Sequence, residues 1–310
     1  MKPVKLAAIQ AAPVFFDRKA STKKACALIA EAGRGGADLA AFGETWLPGY
    51  PFFIEAPLSD LWWEAAALYV EQAVRLDGPE IADLCRAARQ AGTDVVIGIA
   101  ELDPATEGSV YASLVFISRE GELLGRHRKL KPTHHERSVW ADGDAEGLTV
   151  HARPYGRLSG LNCWEHNIVL PGFTLISQGT QFHVAAWPGR EPETAPTEPV
   201  WSRQVLLSRA FASQAGAYVI APAGLRLDAH VPERFKSLNT FEHTGQSVII
   251  DPRGELIAGP AEGETILYAA ASLDEVRKAK SACDPAGHYS RPDLFELRLE
   301  GQTIYPTRQS

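Results

Sequence analysis

Three widely separated side chains are placed where covalent chemistry is done. Glu44 ends the run DLAAFGE (38–44), and the TWLPGYP that follows it continues as neither strand nor helix. An acid at the carboxyl end of a buried strand stands where open α/β sheets keep their reactive groups. Lys129 comes at the end of a strand-like stretch, in RHRKLKPTHHER, so its ammonium would also leave a strand end. Cys163 lies in GLNCWEHN (160–167), after the strand-like RLSGLN and before an apolar helical pattern. In such a strand-to-helix turn, the free N–H groups of the helix start favour a thiolate and can hold an oxyanion. Each residue alone also has a plain reading: a solvated loop acid, one cation of a basic patch, a small buried thiol.

The elements that must position these residues can be read from pattern. Short apolar runs at 6–11, 38–42, 94–100, 113–118, 182–187, 217–223 and 247–251 read as buried strands. Helical patterns at 18–33, 79–91, 166–178 and 198–215 each stop at glycine: Gly35, Gly92, Gly179 and Gly216. Turns at 119–122 and 251–254 imply antiparallel hairpins within the alternation. The pattern predicts an α/β protein with mixed sheets covered by helices. A single domain is expected over 1–310, with 280–310 an irregular C-terminal extension carrying a possible last strand.

Composition narrows the function classes. The chain has 310 residues, 45% hydrophobic, and a net charge of −7 without a dense Lys/Arg run, so a nucleic-acid partner is not expected. No stretch reaches the 18 apolar residues of a membrane span, and Gln10 and Pro13 interrupt any signal-peptide core, so a cytoplasmic location is expected. Cys26, Cys85, Cys163 and Cys283 lie far apart, which suggests neither a disulfide framework nor a zinc knuckle. Cys85 shares a helical stripe with Ile81, Leu84 and Ala88, and Cys26 lies three residues before Ile29, so these two read as core.

Taken in order, AAIQAAPVFFD, FGETWLPGYP, HRKLKPTHHERSVWADGD, LNCWEHN, FHVAAWPG and DPAGHYSRPD resemble the nitrilase superfamily of carbon-nitrogen hydrolases over most of the chain. The resemblance implies an αββα sandwich and a Glu-Lys-Cys triad at Glu44, Lys129 and Cys163. It also implies a second glutamate at Glu136, which would position Lys129 or a water. Trp164 and Glu165, directly after the cysteine, are similar to the nitrilase branch, with amidase and hydratase branches as the alternatives. The expected chemistry is hydrolysis of a nitrile through a cysteine thioimidate and thioester, which requires no metal or organic cofactor. A cation and a carboxylate beside one thiol pull its pKa in opposite directions, so the resting form of Cys163 stays open at this level.

A zinc hydrolase is the competing class, with ligands drawn from Cys163, His166, His134, His135, His151 and His183, but their spacing matches no zinc site and would leave Glu44 and Lys129 idle. A non-catalytic member of the fold would be expected to lack at least one of the three residues. Trp164, Tyr50 and Trp187 are expected at the substrate, an aromatic or arylaliphatic nitrile fitting such a mouth best. A homodimer or modest homo-oligomer is expected, with the helix after Cys163 as the candidate contact.

Overall fold

The computed structural model describes residues 3–191 and 200–306; the first two and last four residues, and positions 198 and 199 of the expected 198–215 helix, lie outside the described residues. The strands in chain order are β1 Val4–Gln10, β2 Leu39–Ala41, β3 Asp94–Leu102, β4 Val110–Ile117, β5 Leu123–Arg128, β6 His151–Arg153, β7 Gly156–Asn162, β8 Phe182–Ala186, β9 Tyr218–Ala221, β10 Leu225–Arg226, β11 His243–Thr244, β12 Val248–Ile250, β13 Leu256–Ala258, β14 Thr265–Ala271, β15 Leu297–Leu299 and β16 Gln302–Tyr305. The helices are α1 Arg18–Arg34, α2 Asp60–Glu71, α3 Pro79–Ala91, α4 Val169–Ser177, α5 Val200–Ala215 and α6 Leu273–Ala282.

Two six-stranded mixed sheets result, ordered β14-β1-β2-β3-β4-β5 and β13-β12-β9-β8-β7-β6. Side-chain alternation along each strand sorts the residues into layers. Leu6, Ala8, Leu39, Ala41, Val96 and Leu114 of the first sheet meet Leu158, Phe182, Val184, Ala186, Ile220 and Ile249 of the second. The opposite face of the first sheet, through Ala7, Ile9, Val95 and Ile97, packs on Ile29 of α1 and Ile81 and Leu84 of α3. Ala185, Val219, Val248 and Ile250 of the second sheet pack on Phe211 and Ala212 of α5. The architecture is therefore the αββα sandwich the sequence implied.

Helix ends follow local chemistry. Asp17 caps α1 by accepting the Ala20 N–H at 2.9 Å, and Gly92 ends α3 in the left-handed conformation. Four elements differ from the sequence reading. The expected 166–178 helix is split into a 3₁₀ turn over Cys163–Asn167 and α4. α2, capped by Ser59, and the partly exposed edge strand β14 were not anticipated. The expected irregular tail forms the β15–β16 hairpin, with Tyr305 edge-on to Phe173 of α4 at 5.2 Å.

The segment carrying Glu44 lies directly across β3. Phe42 N donates to Val96 O at 2.9 Å and Leu47 N to Gly98 O at 3.1 Å, so the loop between them crosses over Gly98. A Cβ at Gly98 would overlap the Gly43 carbonyl oxygen and the Thr45 nitrogen. The glycine in DVVIGIA is thus a close-approach residue rather than a flexible one. Gly98→Ala is expected to destabilise the protein by about 1–3 kcal/mol through overpacking against backbone that has nowhere to go. Urea denaturation would check this; an unchanged midpoint would mean that the loop can lift at no cost.

Candidate active site

Glu44, Lys129, Glu136 and Cys163 come from four different elements and meet in one buried cluster, of which Glu136 and Cys163 line a cavity. Glu44 follows β2, and its backbone N–H donates to the Trp187 carbonyl at 3.2 Å. Lys129 follows β5 and donates its N–H to Ala112 O of β4 at 2.7 Å. Glu136 sits in a 3₁₀ turn over His134–Ser138, where its carboxylate accepts the Thr133 N–H at 2.6 Å in a capping box. Cys163 follows β7 with φ 49, a left-handed conformation held at the head of the Cys163–Asn167 turn.

The ammonium of Lys129 is the centre of the cluster. It donates to Glu44 Oε1 at 2.8 Å and to Glu136 Oε2 at 2.6 Å, with no solvent exposure of the lysine side chain. Tyr50 Oη donates to Glu136 Oε1 at 2.9 Å, so both oxygens of that carboxylate are engaged. The indole of Trp140 lies 5.6 Å from the ammonium. Two of the three ammonium hydrogens are thereby committed. Glu44 Oε2, by contrast, is buried without a hydrogen-bond partner among the described residues. A donor atom from each of Glu44, Glu136 and Cys163 lies within 4.8 Å of the others.

Burial and charge set the protonation states. Burial pushes the Glu44 carboxyl up, Lys129 pulls it back and Glu136 adds to the rise, leaving it at about 8. Burial pushes the Cys163 thiol well above its usual range, and Glu44 outweighs the opposing pull of Lys129, so the thiol is the resting form. For Lys129, burial opposes the charge, but Glu136 and Glu44 hold its pKa well above the ordinary lysine value. The cluster therefore offers a neutral thiol beside a carboxyl that exchanges its proton near neutrality and a permanent cation. Three oxygen and sulfur donors could in principle hold a metal, but the position between the two carboxylates is taken by the ammonium.

One residue that the sequence marked only as a branch signature proves to hold the site together. Glu165 does not enter the cavity. Its carboxylate lies beneath, accepting the Leu130 N–H at 2.9 Å and the Asn162 N–H at 2.8 Å, with His127 Nε2 at 2.9 Å. It thus ties the backbone just after Lys129 to the backbone just before Cys163. Burial pushes its pKa up, but His127 and the two N–H groups outweigh burial and keep it below the usual value. The signal was present: Asn162 and Glu165 are spaced as a capping box.

The cavity above Cys163 has a volume of about 230 Å³. Tyr50 and Trp164, both expected at the substrate, line it together with Ile54 and Pro188. Glu55 and Arg203 add charged groups that the sequence did not single out. Trp187 is not among the lining residues. Its ring is 1% exposed within the packing of the second sheet, its Nε1 donates to Ser208 Oγ at 3.0 Å, and its carbonyl supports Glu44. Phe52, Phe53 and Trp46 are likewise core, the last donating to Ala11 O at 2.7 Å.

Comparison with known proteins agrees with this arrangement. A nitrilase named Nitrilase 2, from an unknown prokaryotic organism, is 52% identical over 299 residues, covering 96% of this chain and 92% of its own. An aliphatic nitrilase of Rhodococcus rhodochrous is 37% identical, covering 97% and 84%, and an arylacetonitrilase of Hypocrea virens is 37% identical, covering 98% and 93%. Among solved structures, a Saccharomyces cerevisiae member of branch 10 of the nitrilase superfamily superposes with a TM-score of 0.72 at 21% identity, over 93% of this chain and 97% of that one. Residues 5–281 match the carbon-nitrogen hydrolase family, and to that family the chain belongs.

Proposed function

We propose that the protein is a nitrilase, converting an organic nitrile and two waters into the carboxylic acid and ammonia with Cys163 as nucleophile. The observation that carries this reading is the Glu44 carboxyl, with one oxygen held by Lys129 and the other unpartnered and buried beside the thiol. Glu44 takes the Cys163 proton as sulfur bonds to the nitrile carbon, and returns it to the nitrogen that receives the π-electrons, giving a thioimidate. Lys129, through its remaining hydrogen, and the Trp164 N–H hold the negative charge as it develops. Glu136 keeps Lys129 aimed.

Glu44 next takes a proton from water as the oxygen adds to the thioimidate carbon and passes it to nitrogen, giving an amino group. The proton of the new hydroxyl then follows the same route to nitrogen as the carbonyl forms, the C–N bond breaks and ammonia departs, leaving the thioester. A second water attacks the thioester in the same way, releasing acid and restoring the thiol. If the nitrogen stayed unprotonated, sulfur would leave instead and amide would escape. A barrier difference of about 1.4 kcal/mol decides tenfold between these courses. A carboxyl that exchanges its proton near neutrality favours the acid.

The curated relatives divide between aliphatic and arylacetonitrile names at equal identity, so substrate class is read from the cavity. Tyr50, Trp164, Ile54 and Pro188 favour an aromatic or arylaliphatic nitrile. The whole chain acts as one hydrolase domain, the family match running to 281 and the tail hairpin packing back on α4. All four cysteines are unpaired, which suits a thiol enzyme of the cytoplasm, and among the described residues no helix is long and apolar enough to cross a membrane. Ile168, Val169 and Leu170 after the cysteine turn, exposed at 54%, 79% and 62%, support self-association through that face.

Release of ammonia, acid and amide from a panel of nitriles and carboxamides tests the reading. Acid with one equivalent of ammonia is expected from nitriles, with little turnover of free amide; faster turnover of amide would move the protein to the amidases. Cys163→Ala and Cys163→Ser should abolish turnover while Cys85→Ala keeps it. Lys129→Arg should fail as well, because a planar fork does not fit between two carboxylates built around a compact ammonium. Since Glu44 must be unprotonated to accept the thiol proton, kcat/KM should rise with pH through about 8. A flat profile between about pH 6 and about pH 9 would remove Glu44 from that role. Val169→Glu should shift the protein to a smaller species in sedimentation; an unchanged mass would exclude that face as the contact.

A further inference from the structure

Behind the cysteine turn, a line of buried polar side chains runs away from the cavity and is used by none of the steps above. His166 Nδ1 lies 2.8 Å from the Cys163 carbonyl oxygen, and His166 Nε2 lies 2.9 Å from His183 Nε2. His183 Nδ1 is 2.8 Å from Ser159 Oγ, which is 2.6 Å from Thr180 Oγ1. Ser159, Thr180 and His183 have no exposed surface. Phe211 stacks on His183 with ring centroids 3.9 Å apart, and Trp187 lies 5.4 Å from the His166 ring, so neither imidazole is free to turn.

With neutral rings, only one arrangement of protons satisfies the whole line. A carbonyl oxygen only accepts, so His166 carries its hydrogen on Nδ1 and its Nε2 is bare. His183 must then donate from Nε2, which leaves its Nδ1 to accept from Ser159. The Ser159 oxygen in turn accepts from Thr180 at 2.6 Å, the shorter of the two contacts open to that hydroxyl hydrogen, the other being the Phe182 carbonyl oxygen at 3.2 Å. Burial keeps both rings neutral, lowering His166 to about 4 and His183 well below the ordinary imidazole range. The two Nε2 atoms, facing each other at 2.9 Å, are also too close to share a tetrahedral metal, whose bonds to nitrogen are about 2.0–2.1 Å.

The carbonyl that His166 holds belongs to the same planar peptide as the Trp164 N–H. Fixing the oxygen on one side fixes the hydrogen on the other, and the Trp164 N–H lies against the Cys163 sulfur. The peptide lies in the Cys163–Asn167 turn after a left-handed Cys163, and the His166 ring adds a side-chain restraint to the backbone bonds of that turn. We propose that His166, held in a single tautomer by His183, Ser159 and Thr180, is a positioning residue that aims the Trp164 N–H at the charge developing on the substrate. This rests on the assignment of Cys163 as nucleophile and deepens it: the anion-stabilising donor is set from outside the cavity.

The test compares His166→Phe, which keeps a ring but removes the donor, with His166→Asn, whose side-chain NH₂ can take the place of Nδ1–H. Steady-state turnover of a nitrile is measured beside the rate at which iodoacetamide alkylates Cys163, a displacement that needs no oxyanion donor. His166→Phe is expected to lower kcat by about 10²-fold, as loss of an oxyanion donor does, with KM within about twofold and alkylation close to the wild-type rate. His166→Asn should recover most of kcat. Ser159→Ala, which frees the His183 tautomer without touching the cysteine turn, should give a smaller loss of the same kind and serves if His166→Phe does not fold. Wild-type kcat in His166→Phe, or equal loss of turnover and alkylation without rescue by asparagine, would overturn the proposal. If the wild-type protein instead hydrolyses only carboxamides, the nitrile reading fails, and the same comparison on the amide decides the role of His166.

Discussion

The site depends on one buried ammonium. Lys129 is removed from water and held between two carboxylates, which keep it charged. Its desolvation is offset only while Glu44 and Glu136 stay within hydrogen-bond reach. Three separate segments are therefore obliged to converge. That convergence is also what raises the Glu44 carboxyl, since it shares its cation with a second acid and lies in the same dry pocket. Burial is the largest cause of that rise, Lys129 opposes it and Glu136 adds to it, so the carboxyl stays basic beside a cation.

Glu165 shows how completely hydrogen bonding decides what a buried carboxylate does. It lies as deep as Glu44, yet its pKa is lowered where that of Glu44 is raised. Glu165 accepts two backbone N–H groups and faces His127, so its ionised form is satisfied and it is fixed as an anchor. Glu44 leaves one oxygen without a partner. An unsatisfied acceptor in a dry site is costly, and a carboxyl in that state gains by binding a proton. Two residues of one type, a few ångströms of chain from the same cysteine and lysine, are thus divided between structure and proton transfer by their donors alone.

The strand before Glu44 was legible as a short apolar run closed by residues that break it, whereas LLGRHR before Lys129 and GRLSGLN before Cys163 are mixed in polarity and were legible from the turn and helix signals beside them. The αββα layering was implied by the family likeness, alternation along the chain implying only mixed sheets covered by helices. Edge strand β14 escaped notice because its residues are mostly half-exposed and give no apolar run. The cysteine turn was read as the start of a longer helix; the capping of Asn162 by Glu165 closes a separate 3₁₀ turn first. Of the aromatic residues expected at the substrate, Trp187 was the one misplaced. Trp187, Phe52 and Phe53 flank site residues in sequence, but alternation turns Trp187 into the second sheet's own packing, and the loop after Glu44 folds its phenylalanines into a cluster with Phe16 and Tyr69. Proximity along the chain says which residues are near the site, and the face on which each side chain falls says which of them touch it.

The spacing between the sheets then controls the chemistry. Lys129 extends from the first sheet and Cys163 from the second, and both ends reach the same atom: Ala112 O accepts the Lys129 N–H at 2.7 Å and Asn162 Nδ2 at 3.5 Å. Gly160 favours this close approach, since a Cβ there would stand 3.1 Å from the Val184 carbonyl oxygen and 3.2 Å from Leu114 and Phe116 of the facing sheet, so that these neighbours would have to give by a few tenths of an ångström. Left-handed non-glycine residues stand at Thr45, His134 and Cys163, each at or beside a site residue. Such conformations persist only when the surroundings over-determine them. Here the determining contacts are the packed sheets beneath and the carboxylates tied across them. The thiol, the base and the cation are therefore preorganised by the core itself, and a change that widened the gap at Gly160 would separate Lys129 from Cys163 without altering either residue.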